Sequence, residues 1–310
     1  MSRPPQSGPT AVELARKART LKIQTQRSVR ERLAGAYKTA FHGTGLTFEE
    51  LRHYEPGDEI RHIDWRATAR FGEPYVRHFE EERELRVLFA FDISDSMGNA
   101  AESLSARNTA CKIAAMLSLS AVRGGDRVGA LFFGGNDVLP VAPRKGDRQV
   151  LQILRHCLFE KSSAETTDPR GVLRKLQNLR SHAVVFLISD MFFNPPLTNP
   201  SVRSLTRKVG RRHEVVAISI YPHCIATSRK GIILQTSDPE SGKNTNIDLY
   251  GLGRDKYLRR QGQRTKNLDK TLAAFAEGCV WVEAGNNPEP ALRDFFGLMA
   301  SRRPRSVREE

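Results

Sequence analysis

From residue 87 onward the hydrophobic positions fall into short continuous runs separated by stretches with three- and four-residue spacing. VLFAF (87–91), Arg127 to Phe133, Ala183 to Ile188, Glu214 to Ile220 and Cys279 to Val282 are apolar on consecutive positions. That is the pattern of strands buried on both faces. Between them, Ser105 to Val122, Asp147 to Cys157, Pro169 to Leu179, Ser201 to Arg211, a segment ending near Glu277 and Glu289 to Met299 carry the helical period. Asp137 to Val141 follows Gly134-Gly135-Asn136 and reads as an antiparallel edge strand. Strands alternating with helices predict an α/β fold: a doubly wound, mostly parallel sheet with helices on both faces. Such sheets take ligands beyond the carboxyl ends of their strands. Residues 224–250 break the rhythm, because IILQT and TNIDLY flank the turn DPESGK, and they read as an inserted β-hairpin.

Upstream, Leu14, Ala18, Leu21, Val29, Leu33 and Ala36 predict one helix over about 12–38, ended by Gly43 and Gly45. Residues 46–86 are heavily charged yet carry Phe48, Tyr54, Trp65, Phe71, Tyr75 and Phe79. Tyr75 to Phe79 alternates like a short strand. The rest reads as an irregular block in which Arg52, Arg61, Arg66 and Arg70 pair with neighbouring carboxylates. Trp65 and Tyr54 are expected to supply buried area, the reading favoured over a direct binding role. The organisation expected is a disordered start (1–11), the helix and block (12–86), the α/β domain (87–300) and a disordered tail (301–310).

The chemistry gathers at the predicted strand ends. VLFAF runs into Asp92-Ile93-Ser94-Asp95-Ser96, AVVFLIS runs into Asp190, and Thr166-Thr167-Asp168 precedes a helix. If the first and third buried strands are neighbours, their loops bring Asp92, Ser94, Ser96, Thr167 and Asp190 together. Hydroxyls and carboxylates are hard donors suited to Mg²⁺, Mn²⁺ or Ca²⁺.

The Asp-x-Ser-x-Ser pattern after an apolar strand, with a later threonine and a strand-end aspartate, resembles the metal-ion-dependent adhesion site of von Willebrand factor A domains. The resemblance implies that Ser94, Ser96 and Thr167 ligate a divalent cation, Mg²⁺ foremost, with Thr166 the lesser alternative. Asp92 and Asp190 then act in an outer layer or through water. It also implies an open coordination position for an acidic side chain of a protein partner. The upstream block, with Tyr54-x-Pro56-Gly57-Asp58, Ile63-Asp64-Trp65 and Arg70, followed by Val76-Arg77 and the Glu-rich stretch 80–84, is similar to the signature of the bacterial family called domain of unknown function 58. That resemblance spans about residues 30–300. It implies a von Willebrand A-like domain behind the block and partnership with a MoxR-type AAA+ ATPase, as adaptor or co-chaperone.

Charge adds one alternative. The net charge is +14, and residues 201–310 hold 20 basic and 12 acidic residues, so +8 lies in the last third. A nucleic-acid-binding face is the second reading, weakened by the lack of aromatic residues interleaved for stacking. A metal-dependent hydrolase is the third. It is weakened because Ser94 stands where a phosphoryl-transfer aspartate pair needs its general acid, and because no phosphate-binding Gly-rich loop or Gly-x-Ser-x-Gly is present. None of the eight histidines adjoins a nucleophile motif. No run of 18 apolar residues and no leader-like start appear, so a cytoplasmic protein without membrane insertion is expected. Cys111, Cys157, Cys224 and Cys279 lack zinc-site spacing and are expected to be reduced.

Overall fold

The computed structural model describes residues 11–28, 31–41, 47–58, 60, 63–80, 84–98, 105–135, 137–160, 167–221, 233–237, 244–248, 262–263 and 265–302. The chain runs α1 (Ala11–Ser28), α2 (Glu31–Phe41), β1 (Thr47–His53), α3 (Trp65–Phe71), β2 (Tyr75–Glu80), β3 (Arg86–Asp92), α4 (Ala106–Arg123), β4 (Arg127–Gly134), β5 (Asp137–Arg144), α5 (Asp147–Phe159), α6 (Arg170–Gln177), β6 (Val184–Ser189), α7 (Pro200–Arg212), β7 (Glu214–Tyr221), β8 (Ile233–Ser237), β9 (Asn244–Asp248), β10 (Gly278–Glu283) and α8 (Glu289–Arg302).

The central sheet has the order β10-β7-β6-β3-β4-β5. All its pairings are parallel except β4 with the edge strand β5. The predicted α/β architecture is therefore present. Strand β3 shows why the sequence folds this way. Its side chains alternate between two cores, and both are apolar. Val87, Phe89 and Phe91 pack with α1, α2, α4, α5 and α8. Leu88 and Ala90 pack with α6, α7, Leu272 and Phe275. A strand that must bury both faces cannot alternate with polar residues, so it reads as a continuous run.

An aromatic cluster ties the N-terminal and C-terminal helices to the sheet. Phe41 meets Phe186 and Phe296 edge-on at 5.8 and 5.5 Å, and Phe89 stacks on Phe186 at 5.7 Å. Helices α1 and α2 thus share the core of the α/β domain. On the opposite face, α7 passes against residue 275 at Gly210. A Cβ there would lie 2.4 Å from the Phe275 carbonyl oxygen and 2.9 Å from its Cα. Backbone cannot give way as a side-chain tip does. Gly210→Ala should therefore cost about 2–3 kcal/mol in chemical denaturation. A loss below about 0.5 kcal/mol would show that the two segments separate easily.

Four expectations change. The single helix over 12–38 is two helices. The block over 46–86 is ordered: β1 and β2 pair antiparallel, and α3 sits between them. Its order comes from capping, which a charge-based reading overlooks. The Asp64 side chain accepts hydrogen bonds from the Arg66 and Ala67 backbone N–H groups, and Gly72 closes α3 in the left-handed conformation at φ 78°. Of the expected pairings, Arg52 meets Asp58 at 2.6 Å, whereas Asp64 acts as a cap. Trp65, the first residue of the seven-residue α3, is 67% exposed rather than buried. The helical ends reach Ala11 and Arg302, inside the segments expected to be disordered.

Residues 1–10 and 303–310, Gly43, Gly45, Arg61, Thr166, Cys224 and the parts of 224–250 outside β8 and β9 lie outside the described residues. Strands β8 and β9 do pair as the antiparallel hairpin expected. Among the described residues, no helix is long and apolar enough to cross a membrane. Cys111, Cys157 and Cys279 carry free thiols.

Candidate functional site

Strands β3 and β6 are neighbours, and the helices that follow them lie on opposite faces: α4 in one core, α7 in the other. This is the switch point of a doubly wound sheet, where a crevice opens beyond the strand ends. Asp92 ends β3 and Asp190 follows β6 directly. The sheet topology alone thus converges the two aspartates that lie 98 positions apart.

Asp92 is fully buried. One carboxylate oxygen accepts from the Ser94 backbone N–H at 2.9 Å, the other from the Ser189 hydroxyl at 2.6 Å. Ser189 in turn accepts from the Met191 N–H at 2.9 Å, and Asp190 accepts from the Phe192 N–H at 3.0 Å. Met191 takes φ 60°, a left-handed conformation uncommon outside glycine. Burial, and after it the Asp190 charge, push the Asp92 carboxyl up to about 6. Asp92 therefore orients the loop. Through its two oxygens it ties the backbone of Ser94 to the end of β6.

The hydroxyls face differently. Ser94 Oγ and Ser96 Oγ hydrogen-bond to each other at 3.0 Å, with Ser94 buried and Ser96 exposed. Two ligands on adjacent vertices of an octahedron with bonds of about 2.0–2.1 Å are about 2.9 Å apart, so this spacing fits one shared hard cation. Thr167 is 1% exposed, and its Oγ1 has no hydrogen-bond partner among the described residues. Its backbone is fixed beside the Asp190 loop by a parallel bridge to Phe193 and by the Asn194 N–H, which donates to Thr167 O at 2.9 Å. A buried hydroxyl without a partner is costly and calls for a missing one. Asp168 is engaged elsewhere: Arg170 grips it with Nε and Nη2 at the start of α6. Among the described residues no cluster of three or more His, Cys, Asp or Glu side chains is placed to hold a metal. The donors gathered here are hydroxyls.

Two participants were missed from the sequence. Ser189 looked like the last residue of a buried strand; its place beside Asp190 was the available signal. Arg107 stands in the first turn of α4, and no motif sets it apart. Its guanidinium donates to Ile93 O at 2.7 Å and to Glu160 O, tying the Asp92–Ser96 loop to the end of α5. A cation in the first helical turn opposes the helix dipole. Burial lowers its pKa, and the nearby Cys111, Asp92 and Asp95 work against that.

With the geometry established, comparison with known proteins places the chain. The uncharacterized protein Mb1516 of Mycobacterium bovis and the uncharacterized protein Rv1480 of Mycobacterium tuberculosis are each 29% identical to it over 303 residues, covering 94% of this chain and 90% of theirs. Among solved structures, the conserved hypothetical protein BatB of Bacteroides thetaiotaomicron aligns with a TM-score of 0.43 at 14% identity, over 70% of this chain and 99% of its own. A von Willebrand factor type A structure from Catenulispora acidiphila aligns with a TM-score of 0.39 at 11% identity, over 71% of this chain and 43% of its own. The profile of the family described as protein of unknown function DUF58 matches residues 50–267, well over half of the sequence, and the chain belongs to that family.

Proposed function

We propose that the crevice between the ends of β3 and β6 holds a divalent cation, Mg²⁺ first among candidates and Mn²⁺ or Ca²⁺ after it, and uses it to bind a protein partner. The observation that carries this reading is the Thr167 hydroxyl, buried beside the loop after β6 and without a hydrogen-bond partner among the described residues, while Ser94 and Ser96 after the neighbouring β3 offer two oxygens 3.0 Å apart. Ser94, Ser96 and Thr167 would hold the ion, with Asp92 and Asp190 positioning the loops and supplying negative charge. When bound, such an ion offers an exchangeable position to a carboxylate. Three neutral hydroxyl ligands leave it electron-poor, which favours an acidic side chain on the partner.

The reading is one of binding without catalysis. Ser94 stands where a phosphoryl-transfer aspartate pair would place its general acid. The family resemblance makes a MoxR-type AAA+ ATPase the partner to try first, with the chain as adaptor or co-chaperone.

The test is calorimetric titration of Mg²⁺ into chelator-stripped protein, wild type beside Thr167→Val. Wild type should bind one ion. The valine variant should bind at least about tenfold more weakly while its metal-free stability stays level or rises by about 1 kcal/mol, since a buried hydroxyl without a partner is removed. Unchanged affinity in Thr167→Val would place the ion elsewhere.

A further inference from the structure

The signature block that precedes the α/β domain is built with care and then left facing solvent. Tyr54 N–H donates to Pro74 O, Asp64 N–H to Tyr75 O, and Tyr75 N–H to the Thr68 hydroxyl, so β1, α3 and β2 are fastened to one another. Helix α3 is capped at both ends. Yet Ile60 and Trp65 are each 67% exposed and Phe71 is 57% exposed. Three of the seven large apolar side chains exposed among the described residues thus fall within twelve positions of sequence. If the block served only to brace the fold, its tryptophan would be packed. A rigid scaffold that presents tryptophan and phenylalanine to water is the composition of an interface centre.

Charge says what kind of interface. Exposed Arg66 and Arg70 flank the aromatic residues on α3, which carries no acid, and the Arg70 guanidinium lies 5.7 Å from the Phe71 ring centroid. Phe71 continues into a tilted ring contact with Tyr75 at 5.1 Å, and Tyr75 into His53 at 4.5 Å. Arg70, Phe71, Tyr75 and His53 therefore form one continuous strip, and Trp65 and Arg66 stand on the same helix as Arg70. A second copy of this chain is a poor occupant, because two molecules of net charge +14 repel. An anionic bilayer or a nucleic acid would press its phosphates on the exposed carboxylates of Glu55 and Glu73 at the edge of the strip. A protein surface has the fine-grained pattern required.

We infer that the β1–α3–β2 block is a docking surface for a protein segment that sets an apolar side chain beside carboxylates, with Trp65 and Phe71 as anchors and Arg66 and Arg70 as their charged flank. The surface works without the cation.

The test uses the full chain and a displayed library of random twelve-residue peptides, selected on wild type and counter-selected on Trp65→Ala. Enriched peptides should carry Asp or Glu within a few positions of Leu, Ile or Phe. Their affinity should fall at least about tenfold on Trp65→Ala and on Arg70→Glu. It should hold on Leu298→Ala, an exposed apolar control on α8, and in the presence of chelator. The melting temperature of Trp65→Ala should equal that of wild type. The inference is overturned if no peptide distinguishes wild type from Trp65→Ala, or if Trp65→Ala melts markedly lower. Trp65-dependent binding to phosphatidylglycerol vesicles, or Trp65-dependent self-association, would overturn it in favour of a membrane or a second copy.

Discussion

Asp92→Asn should abolish Mg²⁺ binding and at the same time stabilise the metal-free protein. The two effects come from one cause. In the metal-free chain the Asp92 carboxylate is fully buried beside Asp190, which raises its pKa from the usual carboxylate value to about 6. At pH 7.5 the group is ionised in the folded and unfolded chain alike, but the folded form bears the cost. A rise of about two pKa units corresponds to about 3 kcal/mol. Asparagine keeps the shape and can still accept from the Ser94 N–H, while removing the charge. Metal-free Asp92→Asn should therefore gain about 1–3 kcal/mol near neutral pH.

The sign with pH follows. The folded chain binds the Asp92 proton more tightly than the unfolded chain, so the stability of the metal-free wild type falls as pH rises from about 4 to about 6 and is level in this respect above that. Cation affinity has the opposite trend, weakening below about pH 6 as the proton competes. Denaturation curves at several pH values, with and without Mg²⁺, check both. A less stable Asp92→Asn protein that still binds Mg²⁺ would invert the roles assigned here.

The second large effect lies at the other end of the sheet. Asp126 is fully buried between α4 and β4, where it accepts from the Tyr37 hydroxyl at 2.9 Å and from the Leu85 backbone N–H at 3.1 Å. One side chain thus fastens α2 to the entry of β3. Burial, and after it the Asp126 charge, hold the Tyr37 hydroxyl well above its ordinary pKa, so it stays a donor at any physiological pH. Asp126→Ala leaves one buried and one partly buried donor without this acceptor and should cost about 2–4 kcal/mol, with Tyr37→Phe costing about 1–2 kcal/mol. The double variant should lose less than the sum, because both changes break the same bond. A loss under 1 kcal/mol for Asp126→Ala would mean that the aromatic packing of Tyr37, Phe41 and Phe296 alone seats α2.

What the sequence made legible was the part governed by burial. Strands apolar on successive residues had to be central, and Asp92 and Asp190, the polar residues next after two of them, had to sit at the crevice. Asp126 escaped notice because a lone buried acid between a helix and a strand has no pattern; it becomes visible only when Tyr37, 89 positions away, arrives beside it. Arg107 escaped for the same reason, since its partners are two backbone carbonyls. The block around Trp65 was misjudged for a different one. Aromatic content suggests burial, but the order there comes from an aspartate cap, a left-handed glycine and main-chain hydrogen bonds, which leave Trp65 and Phe71 exposed.

The central claim is that one hard cation sits between Ser94, Ser96 and Thr167. Anomalous diffraction from crystals soaked in Mn²⁺ tests it most directly. The account predicts a single strong peak within about 2.0–2.6 Å of the three hydroxyl oxygens. A peak bound to other residues, or none at these hydroxyls at saturating Mn²⁺, would contradict it.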